Sequence, residues 1–267
     1  MNFFKEELRI YFTAQMFYTR LPCPAGTDHS AAYLNKATRY FPLIGWVVGT
    51  ISYGVFVGSS MLWGQDIALL LAMLAGMLTT GAFHEDGLAD ACDGFGGGWS
   101  KSAILDIMKD SRVGTYGVVG LTMVLGLKFL AMRALAEGMH FSELPWHRIW
   151  LLLVMYHALA RWTAIQLAFV STYAREDALS KVKPLAVEFG WREKVWAWIW
   201  GLVPLAWMGL ENPWYFGLLL PLLVLVLGAK AYFERWIGGY TGDCLGAVEQ
   251  VAELGVWLGL VALWNCT

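Results

Sequence analysis

The segment Phe83-His-Glu-Asp-Gly-Leu-Ala-Asp-Ala-Cys-Asp-Gly-Phe-Gly-Gly-Gly-Trp99 places Glu85, Asp86, Asp90 and Asp93 within nine residues. Carboxylates this dense repel one another unless a cation neutralises them. On a helix, Asp86, Asp90 and Asp93 occupy positions i, i+4 and i+7 and share one face. Hard oxygen donors suit Mg2+ or Mn2+, and Mg2+ commonly bridges protein carboxylates to a substrate phosphate. The stretch from Ser100 to Gly114 adds Asp106 and Asp110, themselves at i and i+4, with Lys109 and Arg112 beside them. Ser100 is placed to cap a short helix. Between the acidic sets, Gly94-Phe-Gly-Gly-Gly98 would let backbone N–H groups approach an anion closely. Carboxylates, glycines and basic side chains together suit a phosphate or diphosphate site, where charge neutralisation and alignment do most of the catalysis. The plainer alternative is a solvated loop.

A second polar island, Gly238-Gly-Tyr-Thr-Gly-Asp243, leads into Glu249, Gln250 and Glu253. Thr241 or Asp243 reads equally as a helix cap. Glu249 and Glu253 enter an apolar run, where ionisable residues are functional candidates, with a buried structural pair as the alternative. His157 and Arg161, one turn apart, and Lys128 stand in other apolar runs. They serve either to hold phosphate or to pair with the buried acids. His84 reads as a base, a ligand or an orienting hydrogen-bond partner.

The elements that must position these residues are membrane helices. The chain is 58% hydrophobic and 15% charged, against roughly 25% charged in average soluble proteins; its mean hydropathy is +0.51. Seven runs have the composition of a span: Leu43–Trp63, Ile67–Phe83, Val113–Ala136, Arg148–Thr172, Val195–Leu210, Trp214–Gly228 and Leu245–Trp264. The N-terminal twenty or so residues mix charges with aromatics, as an amphipathic interfacial helix does. The expected fold is therefore all-α. It is a polytopic integral membrane helical bundle of about seven transmembrane helices plus an N-terminal interfacial helix, one domain over residues 1–267. Fifteen of the 19 Lys and Arg fall in 1–42, 84–112, 173–194 and 229–244, and none in the alternate connections. That asymmetry puts the N-terminus and the acidic motif on the cytoplasmic side. A net charge of −2 excludes a nucleic-acid partner, which needs a basic surface. Cys23, Cys92, Cys244 and Cys266 are scattered and read as reduced thiols.

The motifs His84-Glu-Asp-Gly-Leu-Ala-Asp90, Asp93-Gly and Ile107-Met-Lys-Asp-Ser-Arg-Val-Gly-Thr-Tyr-Gly117 resemble the cobalamin synthase (adenosylcobinamide-GDP ribazoletransferase) family. Arg20-Leu-Pro22, Phe41-Pro-Leu-Ile-Gly45 and Tyr240-Thr-Gly-Asp-Cys-Leu-Gly-Ala247 extend the likeness over nearly the whole chain. The resemblance implies an Mg2+-dependent phosphotransferase of the cell inner membrane, with adenosylcobinamide-GDP and α-ribazole, or its 5′-phosphate, as substrates. A ribose hydroxyl would attack the corrinoid-linked phosphorus, giving adenosylcobalamin or its 5′-phosphate and releasing GMP. On this reading Asp86, Asp90 and Asp93 hold one or two Mg2+ against the diphosphate. Glu85 completes that shell or acts as base, and Asp106 and Asp110 hold a second metal or the guanosine ribose. Lys109 and Arg112 neutralise the leaving GMP, and Asp243 closes the site from the far end of the chain. Membrane lipid is an expected partner; self-association or assembly with other enzymes of the pathway stays open.

Two other readings compete. CDP-alcohol phosphatidyltransferases use an Asp-Gly-x-x-Ala-Arg core, which Asp90 interrupts here, and prenyl-diphosphate enzymes leave the Gly94–Gly98 cluster and the Thr241–Asp243 island unexplained. A cation transporter would carry its acids near the bilayer midplane at broken helices, whereas the densest cluster of acids here lies in one connecting segment.

Overall fold

The computed structural model describes residues 3–174 and 189–266. Arg175, Lys181 and Lys183, three of the basic residues used to orient the chain, lie outside the described residues. The protein is a multi-pass, all-α membrane protein, and no strand occurs among the described residues. Helix α1 (Phe3–Tyr18) and the short α2 (Ala31–Ala37) lead through a 3-10 turn into α3 (Phe41–Trp63), with Pro42 in its first turn. Then follow α4 (Gln65–Thr80), α5 (Phe83–Gly97), α6 (Lys101–Ile107), α7 (Thr115–Gly138), α8 (Trp146–Val170), α9 (Trp191–Glu211), α10 (Leu219–Ile237) and α11 (Gly242–Cys266).

Among the described residues, five segments are long and apolar enough to span a bilayer: α3 with its lead-in, α7, α8, α10 with the 3-10 turn before it, and α11. The bent pair α4–α5 makes a sixth if counted as one. The expected span Val195–Leu210 corresponds to α9, which is not among them. Its first turn carries Arg192, Glu193 and Lys194, and five tryptophans dilute its aliphatic content.

Helix α8 is the axis of the bundle. It packs against α3, α9, α10 and α11, and its residues from Leu151 to Ile165 are buried on every side. A helix apolar all round belongs in such a core. Helices α7 and α10 instead turn Val118, Met123, Leu127, Leu223, Val224 and Leu227 outward, as a lipid-facing helix does. At one end of the bundle, buried Arg39 pairs with Glu7 of α1 at 2.7 Å and with Glu193 of α9. The starts of α3 and α11 and the ends of α8 and α10 meet at this end.

Candidate active site

The acidic motif is helical. Gly81 and Ala82 both take left-handed backbone angles, with φ of 70° and 57°, and turn the chain by 87° from α4 into α5. Arg20 of the Arg-Leu-Pro segment buttresses that break: its N–H donates to Thr79 O at 2.8 Å, and its side chain lies over Gly81.

Helix α5 then crosses the start of α11 at very short range. A Cβ on Gly87 would sit 3.1 Å from Asp243 Cα and 3.2 Å from Gly246 Cα, and one on Gly246 would sit 3.0 Å from His84 O. These distances are tighter than ordinary van der Waals contact, so glycine at both positions lets the two backbones approach this closely without either giving way. The crossing brings Asp86, exposed on α5, and Asp243, half-buried at the start of α11, to the lining of one cavity. Asp90 is half-buried one turn after Asp86. Thr241 is the cap of α11, its hydroxyl accepting from Cys244 N at 3.3 Å. Just before it, Gly239 has a φ of 155°, and a side chain there would collide with Thr172 O at 2.1 Å. That space lets Tyr240 N donate to Thr172 O at 2.9 Å and Ala174 N to Tyr240 O at 2.8 Å, so the chain after α8 is stitched to the chain before α11.

The other expected site residues have different surroundings. Asp93 is buried, and its carboxylate accepts from Gly114 N at 2.6 Å and Gly117 N at 2.9 Å, capping α7 where the helix dipole favours an anion. Asp106 and Lys109 are exposed at the end of α6. The Arg112 side chain grips Asp110 at 3.0 and 2.5 Å, and its backbone N–H adds a bond at 3.0 Å. This partner holds the Asp110 carboxyl down at about 2. The glycine cluster is corrected from an anion-binding loop to the last turns of α5. Cβ atoms on Gly94, Gly96 and Gly98 would strike Met108, Tyr116 and Ile104, so these positions serve close packing with α6 and α7.

Glu85 faces away from the cavity into a buried polar network. Gln250 donates to Glu85 at 3.2 Å and to Glu249 at 2.9 Å, and Lys128 donates to Gln250 at 2.9 Å and to Glu253 at 2.7 Å. His157 Nδ1 lies 2.6 Å from Glu253. Arg161 lies 2.9 Å from Glu249 Oε1, an ion pair off the line of a hydrogen bond. The basic residues of the spans therefore pair with the buried acids. His84 is the link between the two regions: it lines the open cavity, while its Nδ1 lies 3.7 Å from Glu249. Glu249 and Glu253 stand six and ten residues beyond Asp243 on α11, about 9 and 15 Å deeper at the helical rise.

Among the described residues no three His, Cys, Asp or Glu side chains converge to hold a metal ion. The donor set nevertheless fits Mg2+, which keeps several waters and is usually held by one or two carboxylates plus substrate phosphates. Asp86 and Asp243 are such a pair of hard oxygen donors on one cavity. Sequence reasoning did not single out Tyr18 and Tyr173 of the cavity's aromatic walls, and it met Phe41 and Tyr240 only as members of longer motifs, without a part in the site. In a chain that is 15% aromatic their type alone carries no signal.

A family model described as cobalamin-5-phosphate synthase matches residues 10–261. Three similar proteins carry the name adenosylcobinamide-GDP ribazoletransferase. That of Shewanella amazonensis is 43% identical, with 99% of each chain covered. That of Leptospira interrogans is 40% identical, also with 99% of each covered. That of Ralstonia pickettii is 41% identical, with 98% of each covered. No solved structure matches the chain.

Proposed function

The chain belongs to the cobalamin-5-phosphate synthase family, and from that premise we propose that it joins adenosylcobinamide-GDP to α-ribazole, or to its 5′-phosphate, in the final assembly step of cobalamin. The observation that carries the site assignment is the α5–α11 crossing, which puts Asp86 and Asp243 on one cavity although they stand 157 positions apart in the chain. A ribose hydroxyl oxygen forms the new bond to the corrinoid-linked phosphorus, the bond from that phosphorus to GMP breaks, and the hydroxyl proton is released. An Mg2+ bound there would neutralise charge on the diphosphate as it reacts. Asp86, Asp243 and neighbouring Asp90 supply the carboxylates that would hold it. Lys109 and Arg112, on the segment between α6 and α7, supply positive charge for the leaving GMP, and Arg112 must loosen from Asp110 to do so. Asp93 contributes by fixing the start of α7. Glu85 contributes through the buried network, which orients the first turn of α5.

The basic bias of the connections at this end favours a cytoplasmic active site in the inner membrane. The test is to incubate detergent-purified protein with adenosylcobinamide-GDP, α-ribazole and Mg2+ and to measure GMP and cobalamin by chromatography. Both products should form and should vanish with EDTA. Folded, metal-replete protein that makes neither would overturn the substrate assignment.

A further inference from the structure

We propose that the aromatic-walled cavity beside Asp86 and Asp243 seats the planar base of the acceptor nucleoside, and that the corrinoid stays outside it. This rests on the transfer reaction proposed above and deepens it.

The cavity lies where α1, α3, α5, α8 and α11 meet, and its volume is about 270 Å³. Rings reach its walls from α1, α3, α5, the segment after α8 and the segment before α11. Tyr18 of α1 stacks on Phe41 of α3 with centroids 4.3 Å apart and planes 27° apart. Phe41 in turn lies 5.7 Å from the His84 ring. Tyr173 and Tyr240 meet edge to face at 5.5 Å, held by the backbone pairing that Gly239 permits. Ile165 and Ala168 come from α8. Among the described residues, the polar side chains that line it besides the tyrosines are Thr38, His84, Asp86 and Asp243.

Size and polarity decide among the parts of the two substrates. The cavity is smaller than the ~300–1,000 Å³ that encloses a drug-sized ligand, so it admits a bicyclic ring and excludes a corrin macrocycle. Guanine is also flat, but its ring N–H, amino group and carbonyl need partners when buried, and most of this wall is ring and aliphatic carbon. A benzimidazole-type base, apolar and planar, suits aromatic faces and edges. Seated there, it leaves its ribose toward Asp86 and Asp243, where the diphosphate is held.

The test uses full-length Ile165→Trp and Ala168→Phe, which fill the cavity from α8. Steady-state rates are measured with each substrate varied in turn. The KM for α-ribazole should rise by roughly ten-fold or more, with the KM for adenosylcobinamide-GDP within about two-fold of wild type. A rise confined to adenosylcobinamide-GDP would assign the cavity to guanine or corrinoid and overturn the proposal. Unchanged constants for both would also overturn it, leaving lipid as the occupant. Should either variant misfold, inhibition of the wild type by free dimethylbenzimidazole decides. Competition with α-ribazole alone supports the seat, and competition with adenosylcobinamide-GDP alone overturns it. A wild type that releases no GMP overturns the transfer reaction and this seat with it.

Discussion

Arg112 holds both oxygens of Asp110, and at neutral pH the two side chains neutralise each other. Because the folded-state pKa is depressed, the pairing is fully present above the ordinary aspartate value of about 3.9 and is lost as pH falls through about 2. Carboxyl NMR should find Asp110 titrating at about 2 in the wild type and near the ordinary value of about 4 in Arg112→Ala. A titration near 4 in both proteins would show that the pair does not form in solution. Residue types were legible before residue duties. Asp86 and Asp93 stand on one helical face and look alike by spacing, yet Asp86 meets open space while Asp93 meets the N–H groups of Gly114 and Gly117. Nothing local to α5 announces which of its turns abuts α7.

At the scale of elements, the site depends on how closely α5 and α11 approach. Gly87→Val and Gly246→Val each drive side-chain carbons into the opposite backbone, and the helices must part. Misplacing reacting groups by about 1 Å costs about 10²-fold in rate. We expect that loss of turnover in either variant, with the protein still folded in detergent by size-exclusion chromatography; near-wild-type rates would mean that the crossing does not set the site. Most helices were legible as apolar runs, and α3, α7, α8 and α11 begin within three residues of where those runs begin. Helix α10 was less so: its expected end at Gly228 gives way to Ile237. Lys230, Glu234 and Arg235 close the apolar run without closing the helix, because Lys230 and Glu234 pair one turn apart at 2.6 Å. The sharp turn at Gly81–Ala82 and the crossing of α5 over α11 are tertiary facts; the sequence signals only the glycines that permit them.

At the scale of the whole molecule, the buried network ties α5, α7, α8 and α11 together beneath the cavity. Its carboxylates, Glu85, Glu249 and Glu253, face two basic side chains, Lys128 and Arg161. Removing one partner of a buried pair leaves an uncompensated charge, at a cost of about 3–5 kcal/mol. Lys128→Met should therefore destabilise the protein strongly, and adding Glu253→Gln should recover a substantial part. Melting curves in detergent read the difference, and additive losses in the double variant would show that the pair is not coupled. The participants of this network were legible as ionisable residues in apolar runs, but their pairing depends on the packing of four helices. In the proposed reaction Asp86 and Asp243, from distant parts of the chain, serve one metal-dependent diphosphate site. The most direct measurement is the Mg2+ dependence of GMP release in Asp86→Asn and Asp243→Asn. Both variants should need at least about ten-fold more Mg2+ for half-maximal activity, or lose activity altogether. A wild-type Mg2+ dependence in Asp243→Asn alongside a crippled Asp86→Asn would separate the two carboxylates and show that they do not share one metal site.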